Sequence, residues 1–306
     1  MSEEQSATLI DHNLAYASAR EALIAAAGNA AAIFPAVLAH GSDAANRFSI
    51  KSGATTDIAG LKVGSYWPGN ADVELPRHNS TILLLDQRVG RIAWVIEASK
   101  VNAYRTAAAD AVAADKLARL DASVLAIFGA GHQALYEARA LARVRSIRQL
   151  LIVTRDGAKG EAFAATLRGE GLDARSMEAR DACERADIVV TATSARAPLF
   201  EAGWIAPGTH VASMGSDAAG KQELPPALFD RATLFCDLPS QFTTIGDLQH
   251  YCGDRKHIVA IGDVLAGHHP GRSEETEITV FDSSGIALQD LYVARHLIAA
   301  FQDQLP

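Results

Sequence analysis

The sequence predicts an α/β protein in which a doubly wound parallel sheet is inserted into a second lobe of the α+β type. Three observations carry this expectation. The chain has 306 residues, enough for two domains at about 100 to 200 residues each. From Ser123 onward, short apolar runs alternate with helical patterns, which is the rhythm of parallel βαβ units joined by right-handed crossovers. The stretch before Ser123 instead shows several short strand patterns in succession, and the last twenty residues return to helical spacing. The expected division is therefore 1–120 together with 287–306 as one domain, and 121–286 as the other.

The elements follow in order. From Leu9 to about Ala27, Leu14, Ala17, Leu23 and Ile24 recur at roughly helical spacing, with Asp11 or Asn13 as a cap. Runs rich in β-formers at Arg47–Ile50, Leu61–Tyr66, Thr81–Leu85 and Ile92–Ile96 are separated by turn signals such as Ser52-Gly53 and Pro68-Gly69-Asn70, and read as an antiparallel sheet. Asn102 is a candidate cap for an Ala-rich helix from Ala103 to about Leu120. Strands are then expected at Val124–Phe128, Leu150–Val153, Ile188–Thr191, His210–Ser213 and Thr233–Cys236, with helices at His132 to about Val144 and at Gly160–Leu167. The final helix carries Ala287, Leu291, Ala294, Leu297, Ile298 and Phe301 on one side. It is expected to leave the nucleotide domain and pack on the N-terminal one.

Composition narrows the function classes. Hydrophobic residues make up 49% and charged residues 21%, which excludes disorder and coiled coil for most of the chain. The net charge is -8, from 28 Lys+Arg against 36 Asp+Glu, and no basic run occurs, so neither nucleic acid nor an anionic membrane is an expected partner. Three cysteines, Cys183, Cys236 and Cys252, lack disulfide or zinc-ligand spacing. The acidic start, Met1-Ser2-Glu3-Glu4, has no basic region typical of a signal peptide. The apolar stretch from Ala22 to Val37 is broken by Gly28, Asn29 and Pro35. A cytoplasmic protein is the expectation.

The most informative local signal is Gly129-Ala130-Gly131-His132-Gln133-Ala134, which follows an apolar strand and opens a helix. This is the G-x-G-x-x-A form of the dinucleotide fingerprint: the first glycine permits a tight turn, the second lets the backbone approach a pyrophosphate, and the alanine allows close helix packing. The nucleotide domain is thus expected to be of the Rossmann type. At the end of the next strand, where an acid would bind the ribose hydroxyls of NAD, Val153 is followed by Thr154, Arg155 and Asp156. Arg155 is placed to pair with a 2′-phosphate, which favours NADP(H) over NAD(H); the alternative is a solvated Arg155 with Asp156 as a helix cap.

Several segments together resemble the ornithine cyclodeaminase/mu-crystallin family: Val101 to Ala109, the turn at 129–134, Ala186 to Thr193, Gly215 to Leu224, Gly246-Asp247-Leu248, and Ile278 to Phe281 with Gly285. The resemblance implies a homodimer whose N-terminal lobe, completed by the last helix, binds substrate and dimerises around an inserted Rossmann domain. It implies an NAD(P)-dependent enzyme that transfers hydride at the α-carbon of a small amino or imino acid, as an amino acid dehydrogenase or a ketimine reductase. The alternatives are a cyclodeaminase that converts ornithine to proline with release of ammonia, or a binding protein that keeps the fold and cofactor without turnover.

The same resemblance assigns roles. Arg105, Lys62 and Arg47 would hold the substrate carboxylate, and Lys62 would also polarise the reacting centre. Asp217 would exchange a proton with the substrate nitrogen. Cofactor contacts are expected from Thr81, Thr106, Gly129, Ala130, Gly131, His132, Gln133, Arg155, Thr191, Thr193 and Met214, with His78 either a further residue near the nicotinamide or a hydrogen-bonded structural histidine. Between Arg47 and Lys62 there is no glutamate, and the sole acid is Asp57, so recognition of a second, cationic amine such as ornithine's is not supported. His268-His269 lacks further ligands at metal spacing, and no metal is expected.

Overall fold

A computed structural model describes residues 1–242 and 244–304; residues 305 and 306 of the expected C-terminal segment lie outside the described residues. The chain separates into two compact units, residues 1–105 with 286–306, and residues 106–285.

The first unit opens with two helices. In α1 (Glu3–Leu9) the Ser2 hydroxyl accepts from the Gln5 amide and the Gln5 side chain accepts from the Ser2 amide, a reciprocal cap. Ile10 then takes an extended conformation and separates α1, which is not among the expected elements, from the expected helix. Of the two expected caps it is Asp11 that serves as the N-cap of α2 (His12–Ala27), accepting from the Leu14 amide at 2.8 Å.

The sheet of this unit comprises β1 (Ala32–Ile33), β2 (Val37–His40), β3 (Arg47–Ala54), β4 (Ala59–Tyr66), β5 (His78–Asp86) and β6 (Arg91–Glu97). It is antiparallel in the order β1-β3-β4-β5-β6, with β2 also on β3. The four longer strands cover the four runs read from the sequence. The first two are short and largely exposed, which leaves no alternation to recognise.

Register assigns the two faces. Lys51 lies opposite Lys62, Lys62 opposite Ile82, and Ile82 opposite Ile96, so these four share one face. Ile50, Val63, Leu61, Leu83 and Val95 take the other. The C-terminal helix, Ala287–Gln302, covers the first face. Gly53 and Gly60 are cross-strand partners there. A Cβ on Gly53 would lie 3.4 Å from Ala287 Cβ, and one on Gly60 would lie 3.1 Å from Leu291 Cδ2. Two residues without side chains thus let the helix settle onto the sheet.

The helix α3 (Ser99–Leu117) begins three residues before the expected cap and ends three residues before the expected end. Glu3 supplies the capping carboxylate instead, accepting from the Ser99 and Lys100 amides at 2.8 Å each. Asn102 is consequently inside the helix and does not cap it. The division between the units falls within α3, after Arg105.

The second unit runs β7 (Val124–Phe128), α4 (His132–Val144), β8 (Gln149–Val153), α5 (Gly157–Gly169), β9 (Ala174–Ser176), α6 (Ala179–Arg185), β10 (Ile188–Thr191), β11 (His210–Ser213), β12 (Thr233–Cys236), β13 (Val259–Ala260), α7 (Ile261–Leu265) and β14 (Thr279–Asp282). The C-terminal helix is therefore α8. All pairings in this sheet are parallel, in the order β13-β12-β14-β11-β10-β7-β8-β9. The order reverses at β7, the switch point at which doubly wound sheets place ligands. β14 sits between β11 and β12 with all four residues buried, so it shows no alternation and is absent from the strands read in the sequence. Among the described residues no helix is long and apolar enough to cross a membrane.

Candidate functional site

In the first unit the chemistry gathers around one carboxylate. Asp290, on α8, is ion-paired at 3.0 Å to both Lys62 Nζ and Arg105 Nε. Asn102 Oδ1 accepts from the same two cations, at 3.0 Å from Lys62 Nζ and 2.7 Å from Arg105 Nη2. Gln289 Oε1 accepts from Arg105 Nη1 at 3.2 Å. Lys62 and Arg105 are buried, at 5% and 7% exposure, and buried cations must be paired. Asp290, Asn102 and Gln289 supply that pairing and fix the two side chains in place.

The electrostatics are lopsided. Burial, then Arg105, lowers Lys62 to a pKa of about 7; Asp290 pulls it upward and Lys51 adds to the depression. Burial alone would raise Asp290, but Arg105, Lys62 and Lys51 hold it below the ordinary carboxylate range, so it stays ionised.

Of the other residues expected here, Arg47 is exposed at the start of β3, about 13 Å along the strand from Lys51 at 3.3 Å per residue. It shares the face of Lys62 but belongs to the row of Tyr66 and His78, whose rings lie 4.7 Å apart. Thr81 pairs with Val63 and Glu97 and so occupies the opposite face of the sheet.

The second unit collects most of the expected cofactor residues on one sheet edge. β8, β7, β10 and β11 are adjacent, and from their carboxyl ends emerge Arg155, the glycine turn, Thr191 with Thr193, and Met214. Gly129 has φ +119, and a Cβ there would lie 2.7 Å from the Ala192 carbonyl oxygen, so the turn requires glycine. Gly131 differs: its backbone is extended, it is the N-cap of α4 without a side-chain cap, and a Cβ would meet nothing within 4 Å. The first turn of α4 thus has no side-chain cap and has open space beside Gly131, which fits a pyrophosphate.

The neighbours of the turn have prior engagements. Gln133 Nε2 donates to the buried Glu137 at 2.7 Å, and His132 stacks near Tyr136 with 4.9 Å between centroids. Thr106 is half-buried in α3. Asp156 Oδ1 accepts from the Ala158 and Lys159 amides as the N-cap of α5, while Arg155 is exposed.

A buried set of carboxyls ties these strand ends together. Glu223 accepts from the Thr193 amide at 2.6 Å, the Thr193 and Thr191 hydroxyls at 2.7 and 2.8 Å, and the Gly215 amide at 2.9 Å. Asp247 accepts from Ser213 Oγ at 2.5 Å and from the Glu223 and Leu224 amides. Asp282 accepts from the Asp247 and Leu248 amides. Burial raises all three carboxyls above their ordinary range, with mutual repulsion adding to the rise at Glu223 and Asp282. Asp217 lies in the loop after β11, exposed and ion-paired to Lys221, whose Nζ also donates to the Gly215 carbonyl at 3.1 Å.

Sequence reasoning passed over Asp290, Gln289 and Lys51, and read Asn102 as a cap. The available signal was an adjacent polar pair, Gln289-Asp290, set between Leu288 and Leu291 on the apolar side of α8. The His268-His269 pair likewise resolves into local contacts: His268 Nδ1 is 3.6 Å from Asp263 and His269 Nδ1 accepts from the Gly271 amide. Among the described residues no group of three or more His, Cys, Asp or Glu side chains is placed to hold a metal ion.

Residues 18–304 match the family model of the ornithine cyclodeaminase/mu-crystallin family. The iminosuccinate reductase of Paracoccus denitrificans is 37% identical over 249 residues, covering 80% of this chain and 78% of that protein. Its crystal structure with NAD+ superposes with a TM-score of 0.93 at 33% identity, covering 99% of this chain and 96% of the other. An archaeal alanine dehydrogenase dimer with bound NAD gives a TM-score of 0.92 at 29% identity, covering 99% and 96%. The Δ1-pyrroline-2-carboxylate reductase of Thermococcus litoralis, in complex with NADH and L-proline, gives 0.91 at 27% identity, covering 99% and 97%.

Proposed function

The chain belongs to the ornithine cyclodeaminase/mu-crystallin family, and from that premise we propose that it is a nicotinamide-dependent oxidoreductase acting at the nitrogen-bearing carbon of a small amino or imino acid. The observation that carries this reading is the buried Lys62–Arg105 pair, two desolvated cations held in fixed geometry in a chain that also carries a glycine turn suited to a dinucleotide.

Each residue has a task. Arg105 presents a guanidinium fork and Lys62 an ammonium to the α-carboxylate, and Asn102, Gln289 and Asp290 keep both aimed. Lys62, lowered to about 7, is poised to interact with the developing charge at the reacting centre. Asp217 exchanges the proton on the substrate nitrogen, with Lys221 ion-paired to its carboxylate. Gly129, Ala130 and Gly131 with the start of α4 hold the pyrophosphate, and Thr191, Thr193 and Met214 line the same edge. The bound dinucleotide supplies or accepts the hydride.

Two finer points belong to this reading. NADP(H) is favoured over NAD(H), because the acid between β8 and α5, Asp156, already caps α5 while Arg155 is exposed beside it. Arg155→Ala should then weaken NADPH by about ten-fold or more, as loss of a charge-assisted pair does, and leave NADH unchanged in fluorescence titrations. The apolar outer face of the first unit's sheet, with Val37 and Val95 about half exposed at 54% and 49%, is the surface through which two copies would pair. Buried or isolated thiols without disulfides accord with a cytoplasmic site of action.

The test is a turnover screen of amino and imino acids with both cofactors, followed by absorbance of the reduced nicotinamide. Stoichiometric cofactor consumption with an imino acid is the expected result. Ammonia and proline from ornithine without net cofactor change would assign the lyase reaction instead, and tight cofactor binding without turnover would assign a binding protein.

A further inference from the structure

The alanine-rich part of α3 that lies in the second unit is interrupted by one acid. Asp110 is fully buried, and its neighbours at 107–109 and 111–114 are buried alanines apart from Val112. A lone carboxylate in such surroundings carries a large desolvation cost. Neither of its oxygens accepts a hydrogen bond from an N–H or O–H group among the described residues. The group within hydrogen-bonding reach is a second acid, Glu137 of α4, which is also fully buried. Two ionised carboxylates are both acceptors and repel each other, whereas one proton between them turns the contact into a hydrogen bond and removes a charge. Burial accordingly lifts Asp110 to about 7, with the contact to Glu137 pulling the other way. Glu137 in turn accepts from Gln133 Nε2 at 2.7 Å. Gln133 is the second residue of α4, so its backbone N–H is among the donors that the helix start leaves without an intrahelical partner. The other titratable groups of these two helices are engaged elsewhere: Arg139 pairs with Glu170, Asp115 with Arg145 and Lys116, His132 lies against Tyr136, and Arg143 is in the last turn of α4. The strand on which α4 packs, β7, is apolar throughout.

We propose that Asp110 and Glu137 are positioning residues for the dinucleotide: they hold one proton in common and, through Gln133, fix the first turn of α4 above a single negative charge so that it can receive the pyrophosphate. The inference rests on the dinucleotide turn proposed above and adds two residues that need touch neither cofactor nor substrate. When the pair gives up its proton, a second negative charge appears about 5 Å, one helical turn, from the end of α4 that attracts the anion. Protonation of the pair and binding of the dinucleotide therefore favour each other, and binding draws a proton from the buffer into the contact between Asp110 and Glu137.

The experiment titrates the protein with NADH, followed by fluorescence, across a series of pH values; NADPH is avoided because its 2′-phosphate would itself titrate near about pH 6. The wild-type Kd should rise by about three- to ten-fold between about pH 6 and about pH 8.5, as it does when a ligand prefers the protonated form of one group. Asp110→Asn and Glu137→Gln each replace the shared proton by a permanent amide donor of nearly the same shape, and in each the change should shrink to less than about two-fold over that range. A wild-type Kd that does not vary with pH, or a variation that survives in either amide variant, overturns the proposal and leaves the dinucleotide reading standing. NADH that binds at no pH removes that reading, and the proposal with it. Urea denaturation without dinucleotide gives a second readout. Folded Asp110 titrates near about 7 where the unfolded chain titrates at 3.8, so the folded state binds more protons between these values. Wild-type stability should therefore fall relative to Asp110→Asn as pH rises through that window, and parallel midpoints in the two proteins overturn the shared proton.

Discussion

Lys62 shows most directly what burial does to a single side chain. Its pKa is about 7 instead of the ordinary 10.5, because desolvation, Arg105 and Lys51 together outweigh Asp290. An unfolded chain holds that proton up to about 10.5, whereas the folded one releases it near 7, so between these values the unfolded state binds more protons. The stability penalty of charging Lys62 is thus fully present below about pH 7 and is relieved as pH rises toward 10.5. If Lys62 holds the substrate carboxylate as proposed, substrate binding runs the other way, since the carboxylate needs the cation. The kcat/KM for the amino or imino acid should fall as pH rises above about 7, and Lys62→Met should show a low, flat profile over that range. An unchanged alkaline limb in Lys62→Met would assign the titration to another group. Arg105 stands out in the sequence through its motif, and Lys62 through the family resemblance. Asp290 does not, because it is 228 positions from Lys62 and lies in a helix whose inward residues, Gln289 apart, are mostly apolar.

At the scale of elements, the strand-turn-helix around Gly129 separates two roles that the motif writes with the same letter. Gly129 is required by the backbone, with φ +119 and the Ala192 carbonyl 2.7 Å from where a Cβ would lie. Gly131 is in extended conformation with open space around it. Gly129→Ala should therefore destabilise the protein by about 1 kcal/mol or more, read as a lower denaturation midpoint. Gly131→Ala should leave the midpoint nearly unchanged and weaken the dinucleotide by about ten-fold or more, through lost backbone approach to the pyrophosphate. Equal effects of the two substitutions on stability would remove the distinction. The motif and the alternating rhythm were legible because they are local. The start of α3 was not, because its cap is the Glu3 carboxylate from a different helix, more than ninety positions away.

At the scale of the molecule, the sheet of the first unit has one face covered by α8 and one that carries Ile50, Leu61, Val63, Leu83 and Val95. If that second face joins two copies, Val95→Glu should shift sedimentation from dimer toward monomer while the melting transition of the chain is retained, because a charge placed in an apolar interface is costly. A wild-type monomer at micromolar concentration would sink the pairing. The sequence by itself determined the α/β class, the dinucleotide turn and the family, since each is written in short-range patterns of spacing and residue type. Only the tertiary structure decided which side chains surround Lys62 and Arg105, which face Lys51 occupies, and that Glu223 and Asp247 bind the strand ends together. Those relations depend on register and on contacts between residues far apart in the chain, and hydrophobic periodicity carries no record of either.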